Sequence, residues 1–106
     1  MRPTSVTVSA TGASAWIPLD YRQAPFNVGI QIDVSAGASL TWVVETTMDN
    51  IFDSSITPLA LTDLSGALST GTTDESGGIT TPCRAVRLNC TVTGGSATMT
   101  VIQGNR

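Results

Sequence analysis

Turn-forming residues interrupt this sequence so often that a long helix is excluded. Gly, Pro, Ser and Thr recur about every 8–12 residues, and no stretch with helical periodicity is longer than about two turns. Short apolar or Thr-rich runs between such interruptions are typical of sandwiches and barrels. A chain of 106 residues forms one domain. We therefore predict an all-β fold, a single antiparallel β-sandwich of jelly-roll or Greek-key type with roughly seven or eight strands.

The clearest predicted element is a C-terminal hairpin. Gly94-Gly95 lies between two alternating runs and is a strong two-residue turn signal. This turn predicts a register in which one face is apolar and the other carries Thr, Ser and Asn, a separation that a slip of one residue would destroy. The apolar pairs in this register are Val92 with Ala97, Cys90 with Met99 and Leu88 with Val101.

A second hairpin is predicted over about residues 27–47, with a loop at 35–39. A loop of odd length keeps the apolar side chains on one face, where Trp42 is expected to anchor the core. The same register places Asp33 and Glu45 on the outward face. The apolar pairs are Val34 with Leu40, Ile32 with Trp42 and Ile30 with Val44.

The remaining elements are less regular. Shorter strands are predicted at residues 5–10, 14–19 and 59–64. Residues 46–58 are expected to form a long connection between the sheets. Residues 65–81 are predicted to form a flexible loop, because 12 of their 17 positions are Gly, Ser or Thr. Residues 1–5 are predicted to be a short N-terminal arm.

The composition argues against several classes of function. The chain has no histidine and no lysine, which excludes Ser-His, Cys-His and Schiff-base chemistry. Carboxylates for a glycosidase pair are present, but the chain has few aromatic rings to stack on a sugar. We predict that the protein is not an enzyme and uses no cofactor. A net charge of −3 with five arginines argues against nucleic acid, and no apolar run approaches a membrane span.

No metal site or disulfide is predicted. The N-terminus lacks a secretory signal, so Cys83 and Cys90 are expected to be reduced thiols packed as small apolar residues. Two cysteines without histidine are too few ligands for zinc. Residues 49–55 carry oxygen atoms that suit calcium but lack the spacing of an EF-hand, so a solvated loop with Asx turns is the preferred interpretation.

Residues 16–26 are a candidate contact region. They hold three of the five aromatic residues and two prolines, and proline indicates a sheet edge or a strand exit. In one interpretation Tyr21 and Arg22 form a contact patch, since Tyr, Trp and Arg are enriched at binding hot spots. In the alternative, the apolar side chains of the region close one end of the core. These side chains are Trp16, Leu19 and Phe26.

A second candidate lies in the predicted connection. Ile51 and Phe52 are apolar where a solvated loop is expected to be polar, so they either tuck under the sandwich or meet a partner. The residues predicted for a protein interface are therefore Trp16, Tyr21, Arg22, Ile51 and Phe52.

Four motifs in the sequence resemble small virion proteins of tailed bacteriophages. The resemblance covers about residues 16–104, with the weakest match in the Gly/Ser/Thr loop. The motifs are structural and carry no catalytic signature. They are Trp16-Ile-Pro-Leu-Asp-Tyr, Ala24-Pro-Phe-Asn-Val, Pro82-Cys-Arg-Ala-Val-Arg-Leu-Asn and Thr98-Met-Thr-Val-Ile-Gln-Gly104.

The resemblance implies a capsid decoration (cement) protein, which binds the outer surface of the major capsid protein and stabilises the head. Such proteins commonly sit as trimers or dimers on capsid symmetry axes, so we expect a homotrimer on the virion surface, assembled in the host cytoplasm. The N-terminal arm and the loop 65–81 are candidates for ordering on the capsid, for example by strand addition. The alternatives are a tail, fibre or head–tail adaptor protein and, from another class, a carbohydrate- or receptor-binding module.

Overall fold

The chain forms β-strands wherever short alternating runs occur. The computed structural model describes residues 3–22, 26–62, 71–80 and 82–103. Within these ranges there are nine strands and no helix, hence none long and apolar enough to cross a membrane. The strands are β1 (Thr4–Val8), β2 (Gly12–Ala13), β3 (Ile17–Pro18), β4 (Val28–Val34), β5 (Ser39–Thr47), β6 (Leu61–Thr62), β7 (Glu75–Ile79), β8 (Ala85–Gly94) and β9 (Ala97–Gln103).

The strands form two antiparallel sheets, which confirms the predicted all-β sandwich. Sheet A has the order β1-β9-β4-β7. Sheet B has the order β2-β8-β5-β6, and β3 also pairs with β8. Strands that follow one another in the chain therefore alternate between sheets at most connections, and this order is that of a jelly roll, one of the two predicted types.

Alternation along the strands builds the core between the sheets. On β4 the buried positions are Val28, Ile30 and Ile32, and the residues between them are exposed. Trp42 on β5 is 1% exposed, which confirms it as a core anchor. Burying side chains of this size contributes about 1.5–3 kcal/mol each relative to leaving them exposed. The two sheets are thus held together mainly by apolar burial.

Both predicted hairpins have the wrong strand partners, although their apolar faces do point into the core. β8 and β9 flank Gly94-Gly95 but lie in different sheets, and Cys90 pairs with Trp42 whereas Met99 pairs with Ile32. β4 and β5 are separated in the same way. Alternation reports which face of a strand is buried, and strands on opposite sides of one core satisfy it as well as hydrogen-bonded neighbours do.

Two of the sheet-crossing connections, which we call arches, are stacked on each other. The first arch is residues 35–38 between β4 and β5, and the second is residues 95–96 between β8 and β9. The Ser35 amide donates to the Ser96 carbonyl at 2.9 Å, and the Ser96 amide donates to Ser35 Oγ at 3.0 Å. This end of the sandwich is therefore closed by contacts between the arches.

A strand lies within the predicted loop 65–81. β7 pairs with β4 from Ile79 opposite Val28 to Glu75 opposite Ile32. The segment was predicted to be a loop because it is rich in Gly, Ser and Thr, but an edge strand is held by backbone hydrogen bonds and needs little apolar surface; within β7 only Ile79 is buried. Residues 63–70 and 81 lie outside the described residues, so the part of the predicted flexible loop that falls on them stays a prediction.

Three other predicted boundaries also change. The last two residues of the predicted N-terminal arm, residues 1–5, belong to β1, which begins at Thr4 opposite Val101. Within the predicted strand 14–19, only Ile17–Pro18 is a strand, because Ser14 interrupts the ladder. The Ser14 amide donates to the Leu88 carbonyl at 2.7 Å, and Ser14 Oγ accepts from the Leu88 amide at 3.0 Å. The connection after β5 returns to sheet B rather than crossing to sheet A, because β6 pairs with β5.

Candidate protein-binding surface

Trp16 is placed on the outer side of sheet B. The Arg87 guanidinium carbon lies 4.4 Å from the centre of the Trp16 ring. Arg87 Nε in turn donates to Glu45 Oε1 at 2.7 Å, and Asn89 Nδ2 donates to Glu45 Oε2 at 3.3 Å. The half-buried ring therefore covers an arginine whose charge is already balanced by a carboxylate.

Tyr21 and Arg22 form a separate cluster with Arg84. The guanidinium carbons of Arg22 and Arg84 lie 5.6 Å and 5.0 Å from the centre of the Tyr21 ring. Arg84 Nη2 is 3.5 Å from the Tyr21 hydroxyl oxygen, at the outer limit of a hydrogen bond. A hydrogen bond from Arg22 and then the charge of Arg84 are the main causes that lower the pKa of Tyr21 below its ordinary value.

A buried glutamine fixes the position of this cluster. Gln103, which is 2% exposed, accepts a hydrogen bond from the Asp20 amide at 2.8 Å and donates its side-chain amide to the Asp20 carbonyl at 2.7 Å. On the other side, the Leu19 amide donates to the Arg84 carbonyl at 2.8 Å. The chain before Tyr21 is thus attached to both sheets, and Tyr21 has a rigid base.

The loop that follows β5 is ordered by its own polar side chains. Asn50 Oδ1 accepts from the Phe52 amide at 3.0 Å, and Asp53 Oδ1 accepts from the Ser55 amide at 2.9 Å. These are the Asx turns that the sequence predicted. The bond from the Ser55 hydroxyl, at 2.6 Å, is the main cause that lowers the pKa of Asp53.

A hydrogen bond between residues far apart in the loop joins its two ends. Asp49 Oδ2 accepts from the Leu59 amide at 2.8 Å, which joins residues ten positions apart. The Asp49 amide donates to Oγ1 of Thr47, a buried residue at the end of β5. Both ends of the loop are thereby tied to sheet B, so its side chains are presented at low conformational cost.

The segment 48–61 nevertheless exposes apolar side chains. Among the described residues, seven large apolar side chains are strongly exposed, and five of them lie in this segment. Phe52 is 78% exposed and therefore does not tuck under the sandwich. An ordered loop that turns so many apolar side chains outward is characteristic of an interaction site. The five side chains are Met48, Phe52, Ile56, Leu59 and Leu61.

A pocket of about 200 Å³ joins the two predicted regions. Tyr21 and Arg84 line one side, and Ile51 and Phe52 line the other. Three of the five predicted interface residues, Tyr21, Ile51 and Phe52, therefore line one pocket, and the Arg22 guanidinium carbon lies 5.6 Å from the centre of the Tyr21 ring. Trp16 is not among its lining residues.

The alternative in which the 16–26 region closes the core holds for other side chains of the region. Leu19 and Phe26 are buried, and both belong to the core cluster. The alternation of the chain explains the difference, because Leu19 points inward while its neighbours in the turn point outward. The region thus contributes both to the core and to the surface.

Some residues of this surface were not predicted. Arg84, Gln103 and Leu59 gave no signal in the sequence, because their roles depend on chain segments that meet only in the fold. Met48 and Leu61 are single apolar residues in a variable stretch, a pattern that does not separate core from surface. The cluster of apolar residues over 48–61 was the one signal that could have extended the prediction beyond Ile51 and Phe52.

The acidic and cysteine side chains of the described residues are the groups that could take part in metal or thiol chemistry. No group of three or more Asp, Glu, Cys or His side chains within them is arranged to hold a metal ion. Cys83 and Cys90 are both buried and are not joined in a disulfide. Burial raises the pKa of the Cys90 thiol, which keeps it protonated and poorly nucleophilic.

Comparisons with known proteins give a distant likeness. No protein-family model matches the chain. No curated protein matches it either. Among solved structures, the chain is similar to one from Bacillus endospore appendages, described as a novel family of disulfide-linked pili, with a TM-score of 0.47 and 14% sequence identity. The similarity covers 94% of this chain and 82% of that chain.

Proposed function

We propose that this protein is a capsid decoration (cement) protein of a tailed bacteriophage, which docks on the major capsid protein as a homo-oligomer, most simply a trimer. The virion assignment rests on the sequence motifs. The observation that carries a docking function is the ordered segment 48–61 with its five exposed apolar side chains. Such a surface is costly to leave in water and stabilises a complex when a partner covers it.

The physical properties of the molecule support a structural role. A jelly roll with an apolar core and a preorganised loop changes little on binding, so little binding free energy is spent on ordering the chain. Weak contacts repeated over a symmetric shell add up through avidity. Fold alone does not assign function, and the proposal therefore depends on the docking face.

The first experiment is the copy number of this protein relative to the major capsid protein, measured by quantitative peptide mass spectrometry on purified virions. A ratio near one, or a simple fraction of it, is expected for a shell-covering protein. A few copies per particle would overturn the decoration role in favour of a tail, fibre or head–tail adaptor protein. Absence from the virion would leave a free carbohydrate- or receptor-binding module as the better explanation.

The second experiment tests the docking face. Phe52→Ser and Leu59→Ser are expected to reduce incorporation into virions by about tenfold to a hundredfold if they are hot spots. Ile102→Ser is the matched control, because Ile102 is also an exposed apolar residue but lies on sheet A. Equal incorporation of all three variants would show that segment 48–61 is not the docking face.

A further inference from the structure

Beside segment 48–61, Arg22 and Arg84 form no salt bridge with any carboxylate of the described residues. Within the described residues, the salt bridge found is that of Arg87 with Glu45. Arg22 and Arg84 instead lie over the Tyr21 ring, whose face attracts a cation but does not neutralise it. The Asp20 carboxylate accepts a hydrogen bond from the Arg22 backbone amide at 3.1 Å but forms no salt bridge with either guanidinium, so two arginine charges meet on one ring and remain available to a second carboxylate.

The backbone under these arginines is fixed, so the charges are held at a defined place. The Arg84 amide donates to the Thr47 carbonyl at 2.8 Å, and the Arg84 carbonyl accepts from the Leu19 amide at 2.8 Å. The buried Gln103 holds Asp20 through two hydrogen bonds. A site with a rigid base loses little entropy when it binds.

The adjoining pocket defines the size and polarity of what fits. Its volume of about 200 Å³ is smaller than the roughly 300–1,000 Å³ typical of small-molecule sites. Ile51, Phe52 and Leu19 supply apolar walls, and the Arg84 side chain supplies the charge. These dimensions suit a protein side chain better than a cofactor.

From this geometry we infer that Arg22, Arg84 and the Tyr21–Phe52 pocket form a binding site for an acidic peptide segment, in which an Asp or Glu side chain is followed by an apolar one. The inference rests on the proposed function and names the chemistry of the partner surface. Arginine binds carboxylates in a planar, two-bond geometry, and the apolar neighbour fills the pocket. Two arginines on an acidic chain are too few for a nucleic acid backbone.

The test uses two capped dipeptides as probes, acetyl-Asp-Leu-amide and acetyl-Asn-Leu-amide, which differ in one charge. Amide signals of Tyr21 and Arg84 in two-dimensional NMR spectra of the full chain are expected to shift with the Asp probe and to saturate at millimolar concentration. The Asn probe is expected to bind at least about tenfold more weakly, since it cannot make a charge-assisted bond. Equal binding of the two probes, or no shift with either, would overturn the inference.

Variants identify the groups responsible. Arg22→Gln combined with Arg84→Gln is expected to abolish the preference for the Asp probe. Arg87→Gln removes one charge on the Trp16 side of the molecule and is the matched control for each of the single variants Arg22→Gln and Arg84→Gln; it is expected to retain the preference in full, whereas each single variant is expected to weaken it. Loss of the preference in the control alone would contradict the site.

The outcome is independent of the test of the proposed function. If the Asp probe binds but Phe52→Ser and Leu59→Ser virions carry normal amounts of the protein, the carboxylate site stands and the docking face fails. If those variants lose incorporation while neither probe binds, the docking face stands and the carboxylate site fails.

Discussion

Gly71 lies directly against the indole of Trp42 and has no space for a side chain. The Gly71 amide donates to the Trp42 carbonyl at 2.9 Å, and the Trp42 amide donates to the Gly71 carbonyl at 2.8 Å. A Cβ atom at position 71 would lie 2.5 Å from Trp42 Cζ2, inside van der Waals contact. The Trp42 indole N–H also donates to the Thr73 carbonyl at 2.9 Å, so the ring cannot move aside without losing a hydrogen bond.

We therefore expect Gly71→Ala to lower the free energy of unfolding by about 1–3 kcal/mol, the usual cost of overpacking a core. Gly94→Ala is the control, because nothing lies within 4 Å of a Cβ at that position. Urea denaturation of the two variants and the parent measures the difference. An unchanged midpoint for Gly71→Ala would mean that the indole is not held where we describe it.

The single tyrosine gives a direct report on the arginine cluster. Arg22 is the largest cause that lowers the pKa of Tyr21, so Arg22→Gln is expected to raise that pKa. The phenolate is favoured in the folded state, so stability from this group is absent at neutral pH, appears as the pH rises through the folded-state pKa and is complete above 10.0, the ordinary pKa of a tyrosine. Absorbance of the phenolate during an alkaline titration measures the shift.

The control for this titration is Arg87→Gln. Arg87 lies over Trp16 and pairs with Glu45, away from the Tyr21 ring. Its loss is expected to leave the tyrosine titration in place. A similar shift in both variants would indicate a general effect of net charge rather than a contact with Arg22.

At the scale of elements, the two arches depend on each other. A Cβ atom at position 95 would lie 2.5 Å from the Ala38 Cβ of the facing arch, and Gly95 has a φ of +85°. Gly37 has a similar φ of +74° but an open position with nothing within 4 Å. The pair therefore separates the strain of a left-handed residue from the contact between arches.

Gly95→Ala is expected to destabilise the protein more than Gly37→Ala, by an additional ~1 kcal/mol or more from the clash. Ala38→Gly combined with Gly95→Ala is expected to recover part of the loss, because it removes the opposing methyl group. Thermal or urea unfolding of the three variants measures these terms. Equal losses at positions 37 and 95 with no recovery would show that the arches do not press on each other.

The sequence predicts which face of a strand is buried better than it predicts which strands pair with each other. The buried sides of β4, β5, β8 and β9 followed from alternation, since burial repeats every second residue. Their pairing did not follow, because a Gly-Gly or Ser-Ala-Gly-Ala turn permits a hairpin and an arch alike. β7 was missed for the opposite reason, since its backbone forms the ladder while four of its five residues are exposed.

For the surface, the sequence predicted those residues whose side-chain type is unusual among their neighbours in the chain. Tyr21, Ile51 and Phe52 are unusual in their own segments, and the fold does bring them to one pocket. Arg84 also lines this pocket, but it is far from Tyr21 in the sequence and comes close to it in the fold, where the Leu19 amide donates to the Arg84 carbonyl. Trp16, the remaining aromatic residue predicted for the interface, stacks with Arg87 on the outer side of sheet B, and its role in an interface stays a prediction.

At the scale of the whole molecule, charged side chains are arranged differently on the outer face of sheet B and at the end near Tyr21. The outer face of sheet B carries a balanced pair, Arg87 with Glu45, beside Trp16. The end near Tyr21 carries Arg22 and Arg84, which form no salt bridge within the described residues, beside the Asp20 carboxylate and next to apolar surface. Association through this end is expected to weaken with added salt, because screening acts on exposed charges over about 10 Å at 0.1 M.

Because the arches send consecutive strands to opposite sheets, the ladders join parts of the chain that are far apart in sequence: β1 pairs with β9, and β4 pairs with β9. A growing ladder must therefore close a long loop before its hydrogen bonds form. This places the protein among slow folders, with expected refolding times of roughly milliseconds to seconds in stopped-flow tryptophan fluorescence. Among the described strands, the chain neighbours that pair in a ladder are β5 and β6, and these are joined by a long loop and share two residue pairs, so the sheets are expected to appear together in one cooperative step.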